Sequence, residues 1–138
     1  MDDNNLAGQY PELKEKVVLN VDDNELNHLV IIKILGNAGA KTISAYNGAV
    51  GIKKLQDGLK PDIILLDLEM PVMNGIETAE IIRTQFDPQI PIIINSGSVS
   101  SYEKWQLKRL GITEFLEKPY TTNDILNKLA KSLALAQV

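Results

Sequence analysis

The chain has 138 residues, 44% hydrophobic and 23% charged, with a net charge of −4. That length suits one domain with one core, and the acidic balance argues against duplex DNA as a direct ligand, because phosphate-neutralising charge is missing. The lack of cysteine excludes disulfides, thiolate metal sites and cysteine nucleophiles, and it fits a reducing compartment.

Residues 1–15, with Asp2, Asp3, Asn4, Asn5, Glu12 and Glu15, read as a loose polar leader. They have neither the basic start nor the apolar stretch of a secretion signal. No apolar run approaches the ~18–20 residues needed to span a bilayer, so the cytoplasm is the expected location. Lys16–Val21 reads as a short buried strand. Asn24 caps a helix in which Leu26, Leu29, Val30, Ile34 and Leu35 recur at helical spacing, ended by Gly36 to Gly39. Lys41–Tyr46 alternates weakly, as a second strand. Asn47-Gly48 opens a helix to about Asp57 carrying Val50, Ile52 and Leu55. Asp62–Leu66 is the most apolar strand and the expected centre of the sheet.

Asn74 and Glu77 offer a capping box for a helix ending near Phe86. Ile92–Ile94 is the fourth strand. Ser100-x-x-Glu103 opens the next helix, closed by Gly111, and Ile112–Leu116 is the fifth strand. Thr121-x-x-Asp124 opens a last helix with Ile125, Leu126, Leu129 and Leu133 on one face. Strands alternating with helices predict an α/β fold, a parallel sheet covered on both faces. The folded unit runs from 16 to 136, and no second folded domain is expected beyond it.

Polar residues stand at the ends of the strands. Asp22 and Asp23 follow the first, Asp67 the third, and Lys118-Pro119 the fifth, with Ser96 after the fourth. In an open α/β sheet the carboxyl ends of the strands converge on one crevice. Asp67 is the candidate nucleophile, because a carboxylate can attack phosphorus and form an acyl phosphate. An anion approaches a phosphoryl group poorly unless a cation removes the repulsion. Asp23 and Asp67 suit Mg²⁺ directly and Asp22 through water. Lys118 neutralises a second phosphoryl oxygen, and Ser96 hydrogen-bonds a third.

With Val21-Asp22-Asp23-Asn24, Asp67-Leu68-Glu69-Met70-Pro71-Val72-Met73-Asn74-Gly75, Ser96-Gly97 and Lys118-Pro119 in order, the chain resembles a two-component response-regulator receiver domain over residues 16–136. The resemblance implies a doubly wound, flavodoxin-like sheet of five parallel strands, order 2-1-3-4-5, flanked by five helices. It implies that Asp67 takes a phosphoryl group from a histidine kinase with Mg²⁺, and that Glu69 lends its backbone carbonyl to the metal. Ser96 and Phe115 fall on the switch positions: a hydroxyl that turns toward the phosphate, and an aromatic that moves inward behind it. The stretch Val21–Asn27 also resembles the receivers of hybrid sensor kinases, which exchange phosphate with a histidine phosphotransfer protein. The face of the fourth helix, fifth strand and last helix is the implied output surface, for a downstream target or a homodimer.

Three departures stand out: Phe115 lacks a tyrosine hydroxyl, Asn95 replaces an apolar residue beside Ser96, and Glu69 and Ser98 occupy positions that tune phosphoryl lifetime. A phosphatase of the haloacid-dehalogenase type is the alternative, since it also uses a strand-end aspartate with Mg²⁺. A degenerate receiver that only binds is another. His28, the one histidine, reads as a partly exposed structural residue away from the strand ends, and Met70 and Met73 as loop packing. Trp105 is expected on the outer face of its helix, flanked by Lys104 and Lys108, as a candidate anchor for a partner.

Overall fold

Ile63–Leu66 forms strand β3, and all four residues are buried. A strand with no polar face must be covered on both sides, which puts it at the centre of a sheet. The other strands are β1 (Val17–Val21), β2 (Lys41–Ala45), β4 (Ile92–Ser96) and β5 (Glu114–Glu117). They pair in parallel in the order β2-β1-β3-β4-β5, so β3 is the middle strand. The computed structural model describes residues 8–136. The expected doubly wound α/β fold is the fold observed.

Five helices cover the sheet: α1 (Glu25–Asn37), α2 (Gly48–Gln56), α3 (Gly75–Ile81), α4 (Ser101–Lys108) and α5 (Thr122–Ala136). A π-helical turn, Ile82–Phe86, extends α3. Asn24, Asn47 and Asn74 each cap a helix by accepting the N–H three residues on, which satisfies an otherwise orphaned donor. The boxes at α4 and α5 are complete. Ser100 and Glu103 exchange bonds of 3.1 and 2.9 Å, and Thr121 and Asp124 bonds of 3.1 and 2.8 Å. At α3 only the Asn74 half of the expected box is formed.

The pleat sorts the strand residues onto two cores. Val18, Ile63, Leu65 and Ile93 face α1 and α5, where they meet Ile31, Leu35, Ile125 and Leu129. Leu19, Val21, Ile64, Leu66, Ile92 and Ile94 face α2, α3 and α4, where they meet Ile52, Ala79, Ile82 and Leu107. Full burial of one such side chain stabilises by about 1.5–3 kcal/mol. Every apolar residue expected on the inner face of α5 is there.

Two expectations are corrected. On α1 the buried residues are His28, Ile31 and Leu35, whereas Leu26, Leu29 and Val30 are 67%, 58% and 49% exposed. The helix is apolar on nearly every side, so its spacing does not single out a core face. Val50 of α2 likewise faces out. The leader is not loose throughout. A 3₁₀ turn, Pro11–Leu13, lies against α5, and Leu13 is fully buried in the α1/α5 core. Tyr10 adds a hydroxyl bond of 3.3 Å to Asn123, and the Glu15 N–H donates to the Gly39 carbonyl at 2.8 Å. One leucine among polar residues carries no periodicity, so its burial leaves no pattern in the sequence. Residues 1–7 of the leader lie outside the described residues.

Candidate functional site

β1 and β3 are neighbours in register, Val21 beside Leu66, so the residues that follow emerge side by side. The Asp67 N–H donates to the Val21 carbonyl at 3.0 Å, and the Asp22 N–H to the Ala45 carbonyl at 3.0 Å. One carboxylate oxygen from each of Asp22, Asp23 and Asp67 lies within 4.8 Å of the others. Asp22 is buried, Asp23 exposed and Asp67 half-buried.

The three acids are held differently. Both oxygens of Asp22 are engaged by the first turn of α1: Oδ1 accepts from the Asn24 N–H at 2.9 Å and Oδ2 from Asn27 Nδ2 at 3.1 Å. Asp67 Oδ1 accepts from the Glu69 N–H at 3.2 Å. Burial raises the Asp67 carboxyl above its ordinary value of 3.8; Asp22 and Asp23 push the same way, while the Glu69 amide and Lys118 oppose them. The acids therefore crowd negative charge around a carboxylate that already lacks solvent. An all-oxygen set of this kind, short of positive charge, fits a hard divalent cation.

The loop after Asp67 returns tightly. A Cβ at Gly75 would collide with the Asp67 carbonyl oxygen and with Leu68 Cα, so the start of α3 presses on the end of β3 by backbone alone. On the way, Val72 sits at φ +72°, and the Met73 N–H donates to the Pro71 carbonyl at 2.8 Å. A positive φ on a β-branched residue is strained. Met70 and Met73 pack against the α2/α3/α4 core, as expected.

Ser96 ends β4 almost wholly buried, and its Oγ has no hydrogen-bond partner among the described residues. Ser96 pairs with Glu117 across to β5, and the Lys118 N–H donates to the Ser96 carbonyl at 3.2 Å, which brings Lys118 to the same rim. The preceding Asn95 faces the α1/α5 side, also buried, with its Oδ1 unpaired among the described residues. Tyr120 lies beside it; burial pushes that phenol above its ordinary 10.0, opposed by the Asn95 side chain. Phe115 is half-buried against the α2/α3/α4 core. Lys104 Nζ stands 5.4 Å from the centre of its ring and 3.1 Å from Glu117 Oε1.

Trp105 is 53% exposed on α4, as expected. It stacks on Tyr102 with ring centres 5.8 Å apart, and the Arg109 guanidinium lies 5.1 Å from its ring centre. These residues line a groove of about 490 Å³ with Glu80, Ile81 and Thr84. The Glu69 side chain is exposed and takes no place among the acids.

His28 corrects another expectation. It is fully buried, and it reaches the end of β1: its Nε2 lies 2.6 Å from the Asp22 carbonyl oxygen and its Nδ1 3.1 Å from Asn20 Nδ2. The sequence does carry one signal for this. Asn20 is a polar residue inside an otherwise apolar strand, and a buried amide needs a partner.

Residues 18–130 match the response regulator receiver domain. The chain belongs to that family. It is a receiver domain of two-component systems. It is 30% identical over 128 residues to two-component response regulator 24 of Arabidopsis thaliana, covering 91% of each chain. It is 32% identical over 122 residues to the sensor histidine kinase CheAY of Helicobacter pylori, covering 86% of this chain and 15% of the kinase. The solved structure of chemotaxis protein CheY4 of Vibrio cholerae superposes with a TM-score of 0.80 at 29% identity, over 86% of this receiver and 98% of that protein. Receivers of this family interact with histidine kinases or phosphotransfer proteins. Family membership displaces the phosphatase alternative. Among the described residues, no helix of this receiver is long and apolar enough to cross a membrane.

Proposed function

We propose that this receiver, residues 16–136, accepts a phosphoryl group from a phosphohistidine onto Asp67. The observation that carries the reading is the convergence of Asp22, Asp23 and Asp67 within 4.8 Å at the carboxyl ends of β1 and β3. An Asp67 oxygen forms the new O–P bond as the P–N bond to the donor imidazole breaks, and the departing imidazole keeps its electron pair. Asp23 and Asp67 would hold Mg²⁺ directly, Asp22 through water, and Glu69 through its backbone carbonyl. The bound cation supplies the positive charge that lets carboxylate and phosphoryl oxygens approach. Lys118 offsets a second phosphoryl oxygen, and the orphaned Ser96 hydroxyl donates to a third. The chain promotes its own phosphorylation and slow dephosphorylation in the cytoplasm, and turns over no separate substrate.

The donor protein docks on the outward apolar side of α1, Leu26, Leu29 and Val30, which begins directly beside the acidic pair. On phosphorylation Ser96 turns to the phosphate and Phe115 moves inward, so Lys104 loses the ring beneath it. The surface of α4, β5 and α5 then changes, with Trp105, Lys104 and Lys108 exposed on it. That surface receives a downstream target or a second copy of the chain. The test is a small-molecule phosphodonor with Mg²⁺, followed by intact mass. One added phosphoryl group is expected in the wild type and none in Asp67→Asn. No addition to the wild type, or the same addition to Asp67→Asn, would overturn the reading.

A further inference from the structure

We propose that His28 is a positioning residue for the acidic pair: from within α1 it ties down the Asp22 carbonyl, and so sets how Asp22 and Asp23 face Asp67. The inference rests on the reading of these acids as a Mg²⁺ cradle. The Asp22 carbonyl, 2.6 Å from Nε2, can only accept, so Nε2 carries a hydrogen. A neutral ring then has a bare Nδ1, which accepts from Asn20 Nδ2 at 3.1 Å. The Asp22 carbonyl selects that tautomer, and the Asn20 amide, able to donate or accept, completes it. The Tyr46 ring, its centre 4.4 Å away, covers the imidazole.

The grip is two-sided. His28 holds the main chain of Asp22, while the Asn24 N–H and the Asn27 amide hold its carboxylate. Asn24, Asn27 and His28 belong to the cap and first turn of α1, so the helix start and the acidic loop form one hydrogen-bonded unit. Asp23, exposed, has its direction set by the residue before it, whose main chain His28 fixes. Groups that orient metal ligands in this way typically alter metal affinity by about 10–100-fold when removed.

Two substitutions separate the roles of the ring. Gln extends its amide nitrogen to where Nε2 stands and retains a donor for the Asp22 carbonyl. Asn reaches only as far as Nδ1, keeps a partner for Asn20 and loses the Asp22 bond. Mg²⁺ affinity is read from the amide shifts of Asp67 and Glu69 during titration, beside a thermal melt of each protein. His28→Gln is expected to bind Mg²⁺ as the wild type does, and His28→Asn about 10–100-fold more weakly. Equal affinities in both variants, whatever their melting temperatures, would overturn the inference. Imidazole nitrogen shifts of the wild type test it even where His28→Asn fails to fold: a fixed Nε2–H form is expected, and averaged or Nδ1–H tautomers would refute it. A wild type that binds no Mg²⁺ removes the cradle and this inference with it; a wild type that binds while His28→Asn binds equally removes the inference alone.

Discussion

Asp67 carries an electrostatic cost in the folded chain. Its proton is held more tightly in the folded chain than at the ordinary 3.8, chiefly through burial and then through Asp22 and Asp23. Above the folded pKa the carboxylate is ionised in both states and the fold carries the penalty; below 3.8 both states are protonated and the penalty is gone. Asp67→Asn is therefore expected to melt higher than the wild type at neutral pH with a chelator present, and the gap should close as pH falls below 3.8. Melts across that range check both the sign and the window. Asn95 stores a different cost, a buried Oδ1 with no partner among the described residues. Leu alone would strand the Tyr120 phenol beside it, so the paired change Asn95→Leu with Tyr120→Phe, which removes both polar groups, is the one expected to be neutral or stabilising in urea titrations. The acids, Lys118 and Ser96 were legible in the sequence because residue type and strand-end position together define their place. For His28 the only signal was Asn20; its hold on Asp22 was not legible, since that partner is a main-chain carbonyl, which every residue possesses.

At the scale of elements, α1 and α5 differ in what their patterns can say. α5 has one apolar face, and all of it is buried, so its spacing located the core. α1 has apolar residues on both sides; two-sided character marks a helix that serves the core with one face and something else with the other. Leu29→Glu places a charge on the outward side. Stability should change by no more than about 0.5 kcal/mol, and phosphorylation by a small-molecule donor should be unaffected. Transfer from a phosphohistidine protein should fall. Parallel time courses with the two donors check this, and an equal loss with both would count against docking on α1. The cap residues were legible, though Glu77 does not complete its box, because Asn, Ser and Thr at a helix start act through local geometry that tertiary context rarely overrides.

For the molecule as a whole, the sheet order followed from a family resemblance, and the placing of β3 at the centre from its unbroken apolar run. What the sequence concealed is that the core reaches back past the expected start at residue 16, as well as past the matched residues 18–130. Leu13 and Leu133 lie on either side of that span and share one core with Leu35 and Ala38. Leu13→Ala is expected to cost about 2–5 kcal/mol, as a lower urea midpoint with an unchanged slope. For anyone transplanting this receiver, the workable splice points are thus set by these two leucines. A graft trimmed to the recognisable motif would carry the proposed acceptor aspartate intact into a host protein and leave behind the fastenings at both of its ends.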